Sequence, residues 1–164
     1  MPPPALVDPT RVDTAKTLYD LEAIRRGNPQ RYEMEQLTAV VSVDLQGGLI
    51  VGYKDVRRDE FWVRGHMPED PLMPGVLMCE AAAQLCSFYC HIMGLVPGQY
   101  LGFGGMENVR FRAPVRPDDR LIIVAKAEKL RRRQMIFDTQ GFVETNLAFH
   151  GRLIGVPLVG VPGG

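Results

Sequence analysis

Apolar residues are distributed in two different rhythms along this chain. From Val76 to Met93 they form an almost unbroken run whose only clearly polar members are Glu80, Gln84, Ser87 and His91. That length and continuity predict a helix of about 27 Å at 1.5 Å per residue. A helix apolar on nearly every side has to be enclosed. A shorter helix is predicted from Thr14 to Arg26, with Leu18, Leu21 and Ile24 on one stripe and Gly27 and Pro29 as its stop.

Elsewhere the rhythm is that of strands. Ala39–Val43 and Leu49–Tyr53 flank Gln46-Gly47-Gly48 and predict a hairpin. Glu60–Val63 reads as a brief strand. Glu107–Phe111, Arg120–Leu130, Gln134–Val143 and Leu147–Val156 read as further strands, with turns at Arg131–Arg133 and Glu144–Asn146. No crossover helix separates these later strands, so the sheet is predicted to be antiparallel. The expected fold class is α+β, a curved antiparallel sheet wrapped around the long helix. Residues 1–12 are expected to be a flexible proline-rich arm, residues 13–164 a single domain, and the tail from Pro157 irregular.

Composition narrows the function classes. With 164 residues and 46% hydrophobic content the chain can build a core without disulfides or metal. Lysine plus arginine equals aspartate plus glutamate, 19 against 19, which argues against a general nucleic-acid binder. The balance is uneven locally: Arg110 to Arg133 carries nine basic and three acidic residues, +6 against −6 in the remainder. Such a segment reads either as solvated strand edges or as a docking surface for an acidic partner. Three cysteines do not make a disulfide framework and are expected to be reduced thiols of a cytoplasmic protein. The N-terminus lacks a signal-peptide layout, and Glu80, Gln84 and His91 argue against a membrane span in the long helix.

The candidate chemistry centres on residues 65–84. His66 precedes a proline-punctuated loop, and Glu80 lies inside the apolar helix. A buried carboxylate is costly unless it is paired or takes a proton. An imidazole and such a carboxyl make an acid–base pair if they meet. Glu80, Gln84, Ser87 and His91 are spaced 4, 3 and 4 apart and share one helix face. Gln84 is one turn from Glu80 and can orient its carboxyl. Ser87 and His91 read as facing a solvent gap or a partner subunit. Gly75 opens the helix, where free N–H groups suit a carbonyl oxygen that gains negative charge. Pro74-Gly75 equally fits plain helix initiation. Cys79, Cys86 and Cys90 read as core packing rather than metal ligands. Gly102-Phe103-Gly104-Gly105 does not complete a nucleotide-loop pattern. Nothing in the chain asks for a cofactor or metal.

The residues Gly65-His66-Met67-Pro68 to Glu80-Ala81-Ala82-Ala83-Gln84 closely resemble the signature G-H-F-P-x-x-P-x-M-P-G-V-L-x-x-E-A-x-A-Q of the β-hydroxyacyl–acyl carrier protein dehydratases of fatty acid synthesis. Pro29-Gln30-Arg31-Tyr32 resembles the family's P-H-R-Y. Asn108–Pro117 resembles its F-R-x-P-V-x-P-G-D-x-L strand entry. The resemblance runs from about residue 18 to about 156. It implies the hot dog fold and a homodimer with active sites at the subunit interface, often three dimers to a hexamer. It implies His66 and Glu80 as the catalytic pair, contributed by different subunits. Gly75 would hold the thioester carbonyl through its backbone N–H, and Gln84 would support the carboxylate. The implied partner is an acyl carrier protein bearing a phosphopantetheine-linked acyl chain. Leu77, Phe88 and Phe103 are candidate lining for the acyl tunnel. Arg110, Arg112, Arg116, Arg131, Arg132 and Arg133 are candidate carrier-docking residues. No nucleic acid or membrane is implied.

Met67, Glu33-Met34 and Asp118 depart from the family pattern but remove no catalytic group. Glu80 matches the dehydratase-only branch, since the dehydratase–isomerase branch carries aspartate there, while Asp70-Pro71-Leu72-Met73-Pro74 and the stretch from Gln84 to Gly94 lean toward that second branch and leave isomerase activity open. A hot dog thioesterase would need a water-activating carboxylate without the histidine. A non-catalytic acyl-thioester-binding protein would be expected to lack one of the pair. A hydratase with a D-x-x-x-x-H pair finds no histidine five residues after Asp59 or Asp138.

Overall fold

The computed structural model describes residues 1–159. Six strands form one antiparallel sheet: β1 (Ala39–Asp44), β2 (Leu49–Asp55), β3 (Gln99–Phe111), β4 (Arg120–Arg131), β5 (Gln134–Val143) and β6 (Asn146–Val159), in the order β1-β2-β4-β5-β6-β3. Two α-helices accompany them, α1 (Leu21–Gly27) and α2 (Gly75–Ile92). The sheet wraps α2, which packs against β2, β3, β4, β5 and β6. The α+β expectation and its central helix are borne out.

Enclosure follows from the sequence of α2. Ala81, Ala82, Leu85, Cys86, Phe88, Tyr89 and Cys90 are all buried. Small residues let the helix settle close to the strands. Gly52 of β2 has Leu85 Cδ1 only 3.0 Å from where a Cβ would stand, and the Ala39 carbonyl at 2.8 Å. Tyr89 packs edge-on against Phe137 of β5, ring centroids 5.7 Å apart.

Three local expectations differ. The first helix begins at Leu21 rather than Thr14. Asp20 caps it, its Oδ1 accepting from Ala23 N at 2.9 Å, and Leu18 N and Tyr19 N instead donate to Val40 O. Tyr19 therefore continues the sheet as a bridge to Val40 and sets its ring against Phe88. Glu60–Val63 is a turn, not a strand. Glu60 accepts from Arg57 N and Trp62 Nε1 and pairs with Lys54 at 3.0 Å in a nearly buried contact, which curls the segment. β3 is much longer than Glu107–Phe111. Its glycines leave room for β6, since a Cβ on Gly102 would lie 2.4 Å from Leu158 and one on Gly104 2.8 Å from Val156. Glycines add no hydrophobic signal, so periodicity alone passes over this half of the strand.

The arm of residues 1–12 lies on the outer face of the sheet. Gln140 accepts from Leu6 N and donates to Pro4 O, while Leu6, Val7 and Val12 cover Val51, Ile122, Val124 and Phe142. Pro157–Val159, expected to be irregular, complete β6; the rest of that expectation, residues 160–164, lies outside the described residues.

Candidate active site

The loop between β2 and α2 carries His66. Its backbone N donates to Trp62 O at 2.8 Å, and its carbonyl accepts from Leu72 N at 2.8 Å. Its ring Nδ1 lies 2.7 Å from Leu72 O. A carbonyl only accepts, so Nδ1 carries the hydrogen, and in the neutral ring Nε2 keeps a free lone pair. That is the tautomer a general base needs. Met73 N donates to Val115 O, and Arg116 forms a two-bond pair with Asp70, tying this loop to the segment before β4.

Gly75 begins α2 after Pro74, and no side chain caps this end. The end therefore offers N–H donors and the positive pole of the helix. The Phe111 ring sits over Gly75, 2.7 Å from where a Cβ would stand. Only glycine lets that ring and the helix start approach so closely.

Glu80 lies half-buried one and a half turns further on. Gln84 Nε2 donates to Glu80 Oε1 at 2.8 Å and to Met34 O at 2.7 Å. Gln84 Oε1 accepts from Gln36 N at 2.9 Å. Gln36 N can only donate, so the amide cannot be reversed, and its NH₂ faces the carboxyl. Asn28 Nδ2 adds a bond to the Gln84 carbonyl at 2.8 Å. The loop after α1 thus clamps the residue that aims Glu80.

Glu80, Gln84, Ser87, Gln30, Phe103 and Phe137 are among the residues lining a small cavity of about 60 Å³ between α2, β3, β5 and β6. Of the proposed tunnel residues, Phe103 lines it, while Phe88 and Leu77 do not. Successive helix positions turn by about 100°, so Ser87 returns almost to the Glu80 azimuth, whereas Phe88 and Leu77 stand roughly 60–80° round the helix. Phe88 packs instead against Tyr19 and His91. His91 is exposed and closes over Gly27, away from the cavity. His66 does not line this cavity. Gln30 and Phe137 were not anticipated. Ser87, expected to face a solvent gap or a partner subunit, is instead buried and lines the cavity, because it returns to the Glu80 side of the helix; Gln30 had no signal beyond its place next to Arg31-Tyr32.

The six arginines do not form one patch. Arg110 and Arg112 stand at and just after the end of β3, beside the Phe111 that covers Gly75. Arg131–Arg133 lie where β4 turns into β5, and the register Phe103↔Gly155↔Met135 places that turn toward the opposite end of the sheet. His150, opposite Arg110, is five residues from Gly155, about 17 Å along β6. Arg116 is engaged with Asp70.

The cysteines are all buried in the core. Burial pushes the Cys79 thiol up to about 11 and Cys90 to about 12, and raises Cys86 as well. Among the described residues no cluster of His, Cys, Asp and Glu is arranged to hold a metal, and no helix is long and apolar enough to cross a membrane.

A family model described as a FabA-like domain matches residues 28–152. The chain belongs to the FabA-like dehydratase family. The family's matched span includes the whole Gln84 clamp, from Asn28 to Gln84. The chain is 35% identical over 128 residues to a 3-hydroxyacyl-[acyl-carrier-protein] dehydratase FabZ of Desulfotalea psychrophila, covering 77% of this chain and 85% of that one. It is 34% identical over 115 residues to the FabZ of Fusobacterium nucleatum, covering 70% and 80%. Among solved structures, the dehydratase heterocomplex ApeI:P from Xenorhabdus doucetiae superposes with a TM-score of 0.68 at 18% identity, over 82% of this chain and 90% of that one. That likeness carries the fold, which is the hot dog fold of the FabA-like dehydratases.

Proposed function

We propose that the chain is a lyase that dehydrates (3R)-3-hydroxyacyl-acyl carrier protein to trans-2-enoyl-acyl carrier protein in fatty acid biosynthesis. The observation that carries this reading is the Gln84 clamp: a carboxyl at the wall of a small, half-apolar cavity, held by an amide whose other bonds are all to backbone. His66 removes the C2 proton through Nε2, which the Leu72 carbonyl leaves free. The developing charge on the thioester oxygen is met by the Gly75 N–H at the helix start. Glu80 protonates the departing C3 hydroxyl, and water leaves. No cofactor takes part.

His66 does not line the Glu80 cavity, which supports a site completed by the histidine of a second subunit. β3 supports a homodimer. It is a thirteen-residue edge strand, and it exposes Tyr100, Phe103, Met106 and Phe111. Assembly of three such dimers into a hexamer is the higher state proposed. Arg110 and Arg112, next to the Gly75 end of the helix, are the stronger carrier-docking candidates, and the enzyme is proposed to work in the cytoplasm on a carrier-bound acyl chain.

Turnover of 3-hydroxyacyl thioesters, followed by enoyl absorbance with a parallel free-thiol assay, tests the reading. Enoyl product without thiol release is expected. Thiol release without enoyl product would instead mean a thioesterase, and binding with neither would mean a non-catalytic acyl-binding protein.

A further inference from the structure

Glu80, Gln84, Ser87 and Gln30 bring polar side chains to the cavity wall. Gln84 has both ends occupied. Glu80 has one oxygen on Gln84, leaving the other for its proton. Gln30, from the loop after α1, lines the same cavity, and its Oε1 is buried with no donor. Two neighbouring amide oxygens, of Asn28 and Gln36, are also without donors, but neither residue lines the cavity. A buried amide oxygen left unpaired is costly, so Gln30 is where a ligand donor is wanted.

The proposed reaction has one such donor. The substrate's C3 hydroxyl has to accept a proton from Glu80 while its own hydrogen still needs an acceptor. We infer that Gln30 is a specificity-determining residue whose Oε1 accepts a hydrogen bond from the C3 hydroxyl of the substrate. The inference rests on the dehydratase reading of the site and extends it. The C3–O bond breaks with its electron pair going to oxygen, and the Glu80 proton completes the water. The C2–H pair becomes the C2=C3 bond, and that proton rests on His66. The departing water keeps one hydrogen on Gln30, so the same contact that selects the hydroxyl also guides its exit. A saturated acyl chain of equal length offers Gln30 no donor and leaves its oxygen unpaired.

The test is binding, measured with His66→Ala in place to stop turnover. Dissociation constants for 3-hydroxybutyryl- and butyryl-pantetheine thioesters are compared calorimetrically. The protein with Gln30 intact should prefer the hydroxy ligand by about fivefold, the effect of one neutral hydrogen bond. Gln30→Met, which keeps length without the oxygen, should lose that preference while butyryl binding stays within about twofold. Equal binding of both ligands with Gln30 intact overturns the inference without recourse to the variant. So does a Gln30→Met protein that keeps the preference or weakens both ligands alike. With His66 restored, absence of any enoyl product defeats the dehydratase reading itself. Normal turnover with no hydroxyl preference defeats only the role of Gln30.

Discussion

Gln84 Nε2 reaches back one helical turn to Glu80 Oε1 at 2.8 Å, while its own oxygen is fixed by Gln36 N. The pair is a single mechanical unit, because the amide that aims the carboxyl is itself held from outside the helix. Gln84→Ala frees Glu80 to leave its productive geometry, and a misplacement of that kind costs about a hundredfold in kcat. It also strands Gln36 N and Met34 O, with a destabilisation of about 1–3 kcal/mol. Steady-state kinetics and denaturant unfolding on the same variant check both parts. An unchanged kcat would remove Gln84 from the site's positioning.

His66→Ala and Glu80→Gln should each abolish dehydration while leaving the assembly intact by size-exclusion chromatography. If the two groups come from different subunits, mixing the variants regenerates whole sites. A mixed dimer has one site with both groups and one with neither, so random exchange in equal amounts restores about a quarter of wild-type activity. If subunit exchange is demonstrated and no activity returns, the pair acts within one chain.

Gly75→Ala drives a methyl into the Phe111 ring, 2.7 Å away at its nearest carbon. Overpacking of this kind costs about 1–3 kcal/mol, and the displaced helix start should also raise KM for the thioester. Adding Phe111→Leu to Gly75→Ala should return part of the lost stability, read as a higher thermal midpoint than Gly75→Ala alone. A double variant no more stable than the single one would locate the strain elsewhere.

Lys54 and Glu60 pair at 3.0 Å with side chains only 6% and 7% exposed. Removing one partner of such a pair strands the other charge and costs about 3–5 kcal/mol. Glu60→Ala also takes an acceptor from Arg57 N and Trp62 Nε1, at the turn that leads to His66. Urea unfolding should report the loss. A change below about 1 kcal/mol would mean that the turn is held by other contacts.

The buried cysteines should resist alkylation. Their raised thiol pKa values keep them protonated at pH 8, Cys79 near 11 and Cys90 near 12, and only the thiolate attacks. Iodoacetamide at pH 8 should leave native protein unmodified by mass spectrometry and label all three cysteines in denaturant. Rapid labelling of the native protein would show that the core opens.

Much of this was legible along the chain. The apolar run of α2 required enclosure, and strands without crossovers required an antiparallel sheet. Spacing by 4 and 3 put Glu80, Gln84 and Ser87 on one face, which is the face that lines the cavity. Those conclusions rest on helical and strand periodicity, which local sequence carries. The residues that act through contacts distant in sequence were not legible. Phe103 was distinguished from Phe88 only by the cavity's position on one side of α2. Gln30 comes to the Glu80 cavity, and Met34 to Gln84, across some fifty residues, because α1 stops at Gly27 and its following loop folds back over the helix. The arginines that one basic segment carries were parted toward two ends of the sheet by strand register. Sequence by itself determined the groups available for chemistry and the helix face that bears them. Tertiary structure decided which of them meet, since loop closure and sheet register bring together residues that no local periodicity relates.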